Sequence, residues 1–257
     1  FKSGIAEMLW MLKGSTNLYD FRALVHGEEF RYDDSKKTFW DDNYYNQAIS
    51  LGYEDGNMGE IYGGQWRSFD RGFYEDITKK GTEYRGLFGI DQVKEIISEA
   101  QSNPNSRRLL LSSWNPRAVY DSKDGYAVDK ACLPPCHYAF QLNIINDFID
   151  LKYTMRSNDH FLGSPLNLVF YGALLHVFAR ILGKVPRHLT ASLGNVHIYK
   201  NHIDQCKEQL SRTPYDLPSI LINPDLKTLE DFEHAVPEDF KLIGYENHPK
   251  IYGKMSI

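Results

Sequence analysis

Residues 138–156, YAFQLNIINDFIDLKYTMR, alternate apolar and polar side chains on both sides of Asn146-Asp147. A period of two puts every second side chain on one face, and the central pair is turn chemistry. The stretch therefore predicts a β-hairpin with Leu151, Tyr153 and Met155 on a common face. Immediately before it stands Leu133-Pro134-Pro135-Cys136-His137, where two prolines stiffen the backbone ahead of a thiol. Downstream, residues 167–182, NLVFYGALLHVFARIL, are apolar nearly all round. That predicts a helix buried on most sides and stopped by Gly183. Upstream, Ile5, Met8, Leu9 and Leu12 recur at helical spacing before Gly14 and Asn17. Val93, Ile96, Ile97 and Ala100 share one face of a second helix over 91–101, ended by Pro104 and Asn105. Leu109–Trp114 reads as a short strand, and residues 15–62 as polar and turn-rich with short helical pieces around Asp41–Ser50. His197–Leu210 reads as a strand end followed by a helix, and the polar tail from 236 as ending in a strand-like stretch. Helices and strands are interspersed, giving a mixed α/β (α+β) fold. No repeat, linker or composition break divides residues 1–257, so one domain is expected.

The bulk numbers narrow the function. Of the 257 residues, 42% are hydrophobic and 25% charged, an ordinary globular balance. A net charge of −5 does not indicate RNA or DNA binding through a general basic surface, so an anionic ligand needs a local cationic pocket. The three cysteines, Cys132, Cys136 and Cys206, form neither a disulfide framework nor a zinc pattern. A reduced, cytoplasmic setting and no metal are expected. Neither an unbroken apolar run of about 18 residues nor a signal peptide is visible, so no membrane span is expected. The chain begins at Phe1 inside a helical pattern, from which a missing N-terminal segment is expected.

Four local features carry chemistry. A rigidly presented thiol at Cys136 is what a nucleophile requires, although a lone cysteine is more often structural. Such a thiol needs a nearby cation, and Arg156 on the paired hairpin strand supplies a candidate. Arg107 and Arg108 give fork-shaped donors suited to phosphate, though alone such a pair is more often solvated surface. The turn Gly163-Ser164-Pro165-Leu166 delivers Asn167 at a helix start, where its amide can both donate and accept, and where a plain N-cap is the ordinary alternative. His197 and Tyr199, two apart, share one face of a strand or belong to ordinary core.

Taken together, the segments IYGGQWR (61–67), SRRLLLSSWNP (106–116), LPPCH (133–137), RSNDHFLGSPLN (156–167) and GNVHIYKNH (194–202), with MLWMLKGSTN (8–17) and the final GKMSI, resemble the thymidylate synthase family over nearly the whole chain. The resemblance implies a mixed twisted sheet with flanking helices and a homodimer packed through its sheets. It implies that Cys136 attacks C6 of a pyrimidine nucleotide, whose C5 then takes the carbon of 5,10-methylenetetrahydrofolate. Arg156 would lie by the thiol and the phosphate, lowering the thiol's pKa. Ser157 would bind phosphate, with Arg107 and Arg108 arriving from the partner subunit. Asn167 would read the base, and His137, His197 and Tyr199 would complete the substrate site. Glu7 would organise protons around O4, and Tyr62 would help remove the C5 proton. Asp159, Trp40 and Gly163 would face the folate. Asn at 167 goes with uracil in this family, so dUMP is the expected substrate. The missing N-terminal segment would carry the family's first strand and another phosphate-binding arginine.

The family has two outcomes, methyl transfer to give thymidylate and hydroxymethyl transfer. Met155 stands where synthases carry Gln, Leu166 where they carry Phe, and Asn43 where many carry a second Trp. Ser256-Ile257 replaces a terminal Ala-Val, and Tyr120–Lys130 lengthens the loop before the cysteine. The run Met155–Asp159 and the Lys-Asp-Gly of that loop resemble phage deoxycytidylate hydroxymethylases. These departures point to a wetter pocket and to a deoxyuridylate hydroxymethylase. A thymidylate synthase is the alternative, and a catalytically silent nucleotide- or RNA-binding paralogue is the alternative of another class.

Overall fold

The computed structural model describes residues 1–75, 84–120 and 130–255. In chain order it runs through α1 (Lys2–Leu12), α2 (Leu18–His26), α3 (Asp41–Asn43) with a continuing π-turn over Tyr44–Ala48, and α4 (Tyr62–Arg67). Then follow β1 (Phe69–Glu75), β2 (Tyr84–Ile90), α5 (Gln92–Ser102), β3 (Leu110–Ser112), α6 (Pro116–Val119), β4 (His137–Ile145) and β5 (Phe148–Asp159). The chain continues with α7 (Gly163–Ile181), β6 (Val185–His197), α8 (Ile203–Leu210), β7 (Ser219–Ile222), α9 (Leu229–His234) and β8 (Phe240–Ile243).

The central sheet has the order β3-β4-β5-β6 among the described residues. β3, β4 and β5 are antiparallel neighbours, and β5 pairs in parallel with β6. The β4–β5 turn falls at Asn146, whose φ of 55° suits the short polar side chain. Leu151, Tyr153 and Met155 lie on the buried face, as their alternation predicts. That face is covered by α7, which α1 crosses in turn. On the other face Asn143, Lys152 and Arg156 are exposed.

α7 is long and apolar enough, by length and composition, to cross a membrane. Its contacts with α1, β5 and β6 make it a core helix instead, buried from Phe170 to Ala179 and more open towards its start, where Leu168 is exposed. It begins at Gly163, four residues before the start predicted from the apolar run, so Asn167 lies in the second turn and is not an N-cap. α5 buries Val93, Ile96, Ile97 and Ala100, the four residues its periodicity selects, with Asp91 capping it. His197 ends β6 and α8 follows it, as read from the sequence, whereas α2 and the length of β6 before His197 are not apparent in the sequence reading. The tail after β8 has no strand over residues 244–255.

Side chains of α4 lock these layers together. Arg67 donates to the Leu12 carbonyl at the end of α1 (2.7 Å) and pairs with Asp91 at the start of α5 and Glu233 of α9. The Trp66 indole donates to Ser113 Oγ (2.8 Å) and sits edge-on to Phe140 of β4 and Phe170 of α7. Gly59, with φ of 70°, passes so close to the Lys130 carbonyl that an added Cβ would lie 1.7 Å from that oxygen. Only glycine allows this crossing, which brings Tyr62 to the strand-entry loop that carries the cysteine.

Candidate active site

The topology gathers the chemistry at one end of the sheet. β4 runs antiparallel to β5, so its first residues meet the last residues of β5, and β6 ends beside them in parallel. His137 pairs with Met155, Ser157 with Asn195, and Asp159 with His197. Gly194 permits the close approach there, since an added Cβ would stand 2.7 Å from the Arg156 carbonyl oxygen. The carboxyl ends of parallel strands are where ligand sites commonly form in open sheets of this kind.

Cys136 enters this end directly from Pro134-Pro135. Its Sγ lies 3.8 Å from Arg156 Nη2. The guanidinium is held by the carbonyls of Pro135 (2.9 Å, from Nε) and Pro134 (2.7 Å, from Nη2), while the Arg156 N–H donates to the Cys136 carbonyl (2.8 Å). The prolines thus contribute both stiffness and two acceptors. The effect on the thiol differs from the expectation. Burial pushes Cys136 above the ordinary thiol range, and Arg156 pulls against that push without overcoming it. The reason is geometric: the guanidinium's best hydrogen bonds go to carbonyls and the sulfur receives only a long contact. A cavity of about 400 Å³ opens beside this cation, lined by Ser112, Trp114, Tyr138 and Arg156. Arg156 sits over the Trp114 ring at 5.8 Å. Trp114 and Tyr138 were not singled out from the sequence; the signal available was Ser112 and Trp114 alternating at the end of a strand.

Beneath the cysteine lies a packed polar layer. The Tyr62 hydroxyl oxygen accepts from the Cys136 N–H (2.7 Å). Burial raises the Tyr62 pKa well above its ordinary value, so the phenol keeps its proton. Its ring stacks on His137 at 4.2 Å and meets Trp40 edge-on at 6.1 Å. The Trp40 indole donates to Glu7 Oε1 (2.8 Å), and burial raises the Glu7 carboxyl to about 7. Trp40, expected at the folate, is therefore a buried partner of Glu7, 4% exposed. His137, expected at the substrate, is buried too: it shares a hydrogen bond with the Tyr171 hydroxyl (2.7 Å), and desolvation lowers it to about 3. It is a neutral packing group under the site.

On β5 and α7, Asn167 Nδ2 and Asn158 Nδ2 both approach Met155 Sδ, at 3.5 Å and 3.4 Å. Asn158 Oδ1 accepts from Ser164 Oγ (2.8 Å) and faces His160 Nδ1 (3.2 Å). Asn158, buried at 1%, was also missed, because the alternation of Leu151, Tyr153 and Met155 assigns it to the outer face and the strand departs from that pattern at its end. Asp159 Oδ1 accepts the N–H groups of Phe161 (3.1 Å) and Leu162 (3.2 Å), folding the turn into Gly163. His197 and Tyr199 are edge-on neighbours at 5.1 Å at the end of β6, and both are half-buried.

Arg107 and Arg108 are not brought to this site within the chain. Leu109 pairs with Leu142, six residues along β4 from Cys136 and hence about 20 Å away at strand rise. Both arginines are exposed and make no side-chain hydrogen bond or ion pair among the described residues. The residues 121–129 and 256–257, on which two of the expected departures fall, lie outside the described residues. A larger cavity of about 630 Å³ lies between α1, α2 and residues 236–238. Most of its charges are already engaged, Arg31 with Asp20 and Glu28, Lys2 with Glu238, and Lys13 with the Ala235 carbonyl (2.8 Å).

Known proteins agree with this geometry along the whole chain. The thymidylate synthase family profile matches residues 1–257. A probable thymidylate synthase of Escherichia phage T5 is 40% identical over 259 residues, covering 100% of this chain and 81% of its own length. The thymidylate synthase of Enterobacteria phage T4 is 38% identical over 266 residues, covering 100% of this chain and 82% of its own length. The crystal structure of thymidylate synthase from T4 phage superposes with a TM-score of 0.82 at 38% identity, over 100% of this chain and 82% of that one. A cysteine, an arginine and a buried carboxylate at one end of a matching sheet, with a family match from end to end, establish that this chain belongs to the thymidylate synthase family.

Proposed function

We propose that this chain bonds Cys136 to C6 of dUMP, adds a one-carbon unit at C5, and completes the reaction as methyl transfer to give thymidylate. As a family member it is a one-carbon transferase, and the family uses methylenetetrahydrofolate. The observation that carries the reading is the Cys136 thiol with Arg156 at 3.8 Å and Tyr62 on its backbone N–H.

A neutral pyrimidine is a poor electrophile, so the enzyme needs a thiolate at C6 and stabilisation of the charge that develops on O4. Cys136 attacks as the thiolate, its proton having passed to solvent, and as the S–C6 bond forms the C5=C6 π pair shifts onto C5 and O4. Arg156 stabilises the thiolate and stands at the cavity mouth, where a phosphate would meet it. Asn167 faces the base, with Oδ1 accepting nothing among the described residues. Glu7, held near neutrality, can hold or release the proton that balances O4. Tyr62 keeps its O–H, through which the proton leaving C5 can be relayed away. Asp159 spends one oxygen on backbone N–H groups, and its other oxygen has no partner among the described residues, which suits the paired N–H donors of a pterin. When bound, methylenetetrahydrofolate supplies the one-carbon unit and the hydride. The proposal includes a homodimer in which Arg107 and Arg108 reach the partner's phosphate site, and a reduced cytoplasmic setting suited to three free thiols.

Hydroxymethyl transfer is the second reading. It is supported by Asn43, whose amide bonds Gln47 (3.1 Å) and puts no ring at the folate side. Methyl transfer is favoured because relatives at 38–40% identity are named thymidylate synthases. In addition Met155, one of the departures, is 3% exposed inside the packed face and opens no pocket. Incubation with dUMP and methylenetetrahydrofolate, with mass analysis of the nucleotide, decides the matter. Thymidylate with equimolar dihydrofolate is expected, hydroxymethyl-dUMP with tetrahydrofolate would establish the second reading, and Cys136→Ala should bind dUMP without turnover. Wild-type turnover in that variant would sink both readings, whereas a wild-type protein that binds dUMP without turning it over would favour a silent nucleotide-binding role.

A further inference from the structure

We infer that Met155 is a positioning residue whose thioether fixes the sense of the Asn167 amide and so makes the site favour uracil over cytosine. The inference rests on the nucleotide reading given above. Met155 Sδ is the meeting point of two amide nitrogens, Asn158 Nδ2 at 3.4 Å and Asn167 Nδ2 at 3.5 Å. A thioether has lone pairs and no hydrogen, so it accepts and never donates. An amide can therefore present its NH₂ to the sulfur but not its oxygen. Asn158 obeys this rule independently: with its nitrogen on the sulfur, its oxygen accepts from Ser164 Oγ at 2.8 Å.

The same rule acts on Asn167, which has no other hydrogen-bond partner among the described residues. With Nδ2 on the sulfur, one N–H and the oxygen remain for a ligand. Uracil presents O4 as acceptor and N3–H as donor, and that pair matches an amide giving N–H to O4 and taking N3–H on its oxygen. Cytosine presents the reverse, an amino donor at C4 and a bare N3. Reading it requires turning the amide over, which would set oxygen against sulfur, two acceptors in contact. Buried at 3%, Met155 has little room to rotate away and leaves little room for a mediating water. The sulfur thus penalises one base and leaves the other untouched.

The test is equilibrium binding of dUMP and of dCMP, without folate, to the wild-type protein and to Met155→Leu, which keeps the side-chain volume and removes the acceptor. The dUMP-over-dCMP affinity ratio should fall about fivefold in Met155→Leu, the size of one modest hydrogen bond. Met155→Gln should recover most of it, because its amide oxygen can accept from both asparagines. A purely packing role would weaken both nucleotides alike and leave the ratio unchanged, which overturns the inference. Should Met155→Leu not fold, replacing methionine throughout by norleucine removes the sulfur at constant shape, and the same fall or its absence decides. A wild-type protein that prefers dCMP, or binds neither nucleotide, overturns this inference together with the function on which it rests. Preference for dUMP with an unmoved ratio overturns the role of Met155 alone.

Discussion

At the scale of single residues, the most displaced carboxyl in the site is Glu7. Burial raises it from 4.5 to about 7, and the Trp40 hydrogen bond offsets only part of that rise. Between those values the folded protein holds a proton that the unfolded chain has lost. Stability therefore falls as pH rises from about 4.5 to about 7, and the penalty is complete above that. The size is roughly 3 kcal/mol. Glu7→Gln keeps an acceptor for the indole and abolishes the titration. Urea denaturation at pH 5 and pH 8 should show the variant gaining on wild type at the higher pH by about that amount. Parallel pH profiles would mean that Glu7 titrates normally. His137 works in the opposite sense, its contribution disappearing as pH falls from 6.5 towards 3, but it is common to both proteins and cancels. The same substitution should lower turnover more than dUMP affinity, since the carboxyl handles protons rather than holding the nucleotide.

At the scale of elements, the segment that delivers Trp40 to Glu7 is pinned by a buried ion pair. Arg22 of α2 is fully buried and pairs with Asp41, itself 1% exposed, through Nη2 and through Nε at 3.1 Å. Asp34 (2.8 Å) and the Tyr45 hydroxyl (3.3 Å) take its remaining donors. Asp41 Oδ2 in turn accepts from the Thr38 N–H and hydroxyl, which fixes the turn just before Trp40. Removing one partner leaves a charge in the core, which costs far more than the pair itself is worth. Asp41→Ala should destabilise the protein by about 3 kcal/mol in urea titration, whereas the paired change Arg22→Met with Asp41→Leu should cost less. Equal losses in both would mean that the charges do not depend on each other. None of this is legible in residues 15–62 read as a polar, turn-rich stretch. α2 fully buries only Leu18, Phe21 and Arg22, with Leu24 and Val25 partly buried against the core, so much of its docking rests on a charge that another element neutralises.

At the scale of the whole molecule, two arginines lie about 20 Å along the sheet from the cysteine they are expected to serve. Among the described residues, one face of that sheet leaves Asn143, Lys152 and Arg156 exposed, and Ile145 and Phe148 are exposed at the hairpin end. A homodimer through that face would bring the arginines of one subunit to the other's site. Complementation checks this. Cys136→Ala and Arg108→Ala proteins should each be nearly inactive, and a refolded mixture should regain up to about a quarter of wild-type activity, because mixed dimers are half the population and hold one intact site each. No recovery in the mixture would mean that each chain uses its own arginines or none.

The sequence by itself determined the hairpin, α5, the buried length of α7 and the presentation of Cys136. These depend on local rules: period two, period 3.6, turn chemistry at Asn146-Asp147 and two prolines before a thiol. Family motifs also pointed to Glu7, Tyr62, Arg156 and Asn167 before any contact was visible. Tertiary structure alone decided the rest. The parallel pairing of β5 with β6 joins residues far apart in sequence, and β6, half-exposed along its length, has no alternation to betray it. The direction of the Cys136 shift depends on how a buried thiol is desolvated against how closely Arg156 reaches it. The meeting of Asn158, Asn167 and Met155 depends on where α7 lands on the sheet. In the folded chain Trp40 packs between Glu7 and Tyr62, and His137 between Tyr62 and Tyr171. A motif fixes which side chains are present; whether an indole or an imidazole faces a cavity or a neighbour is settled by packing, which no local pattern encodes.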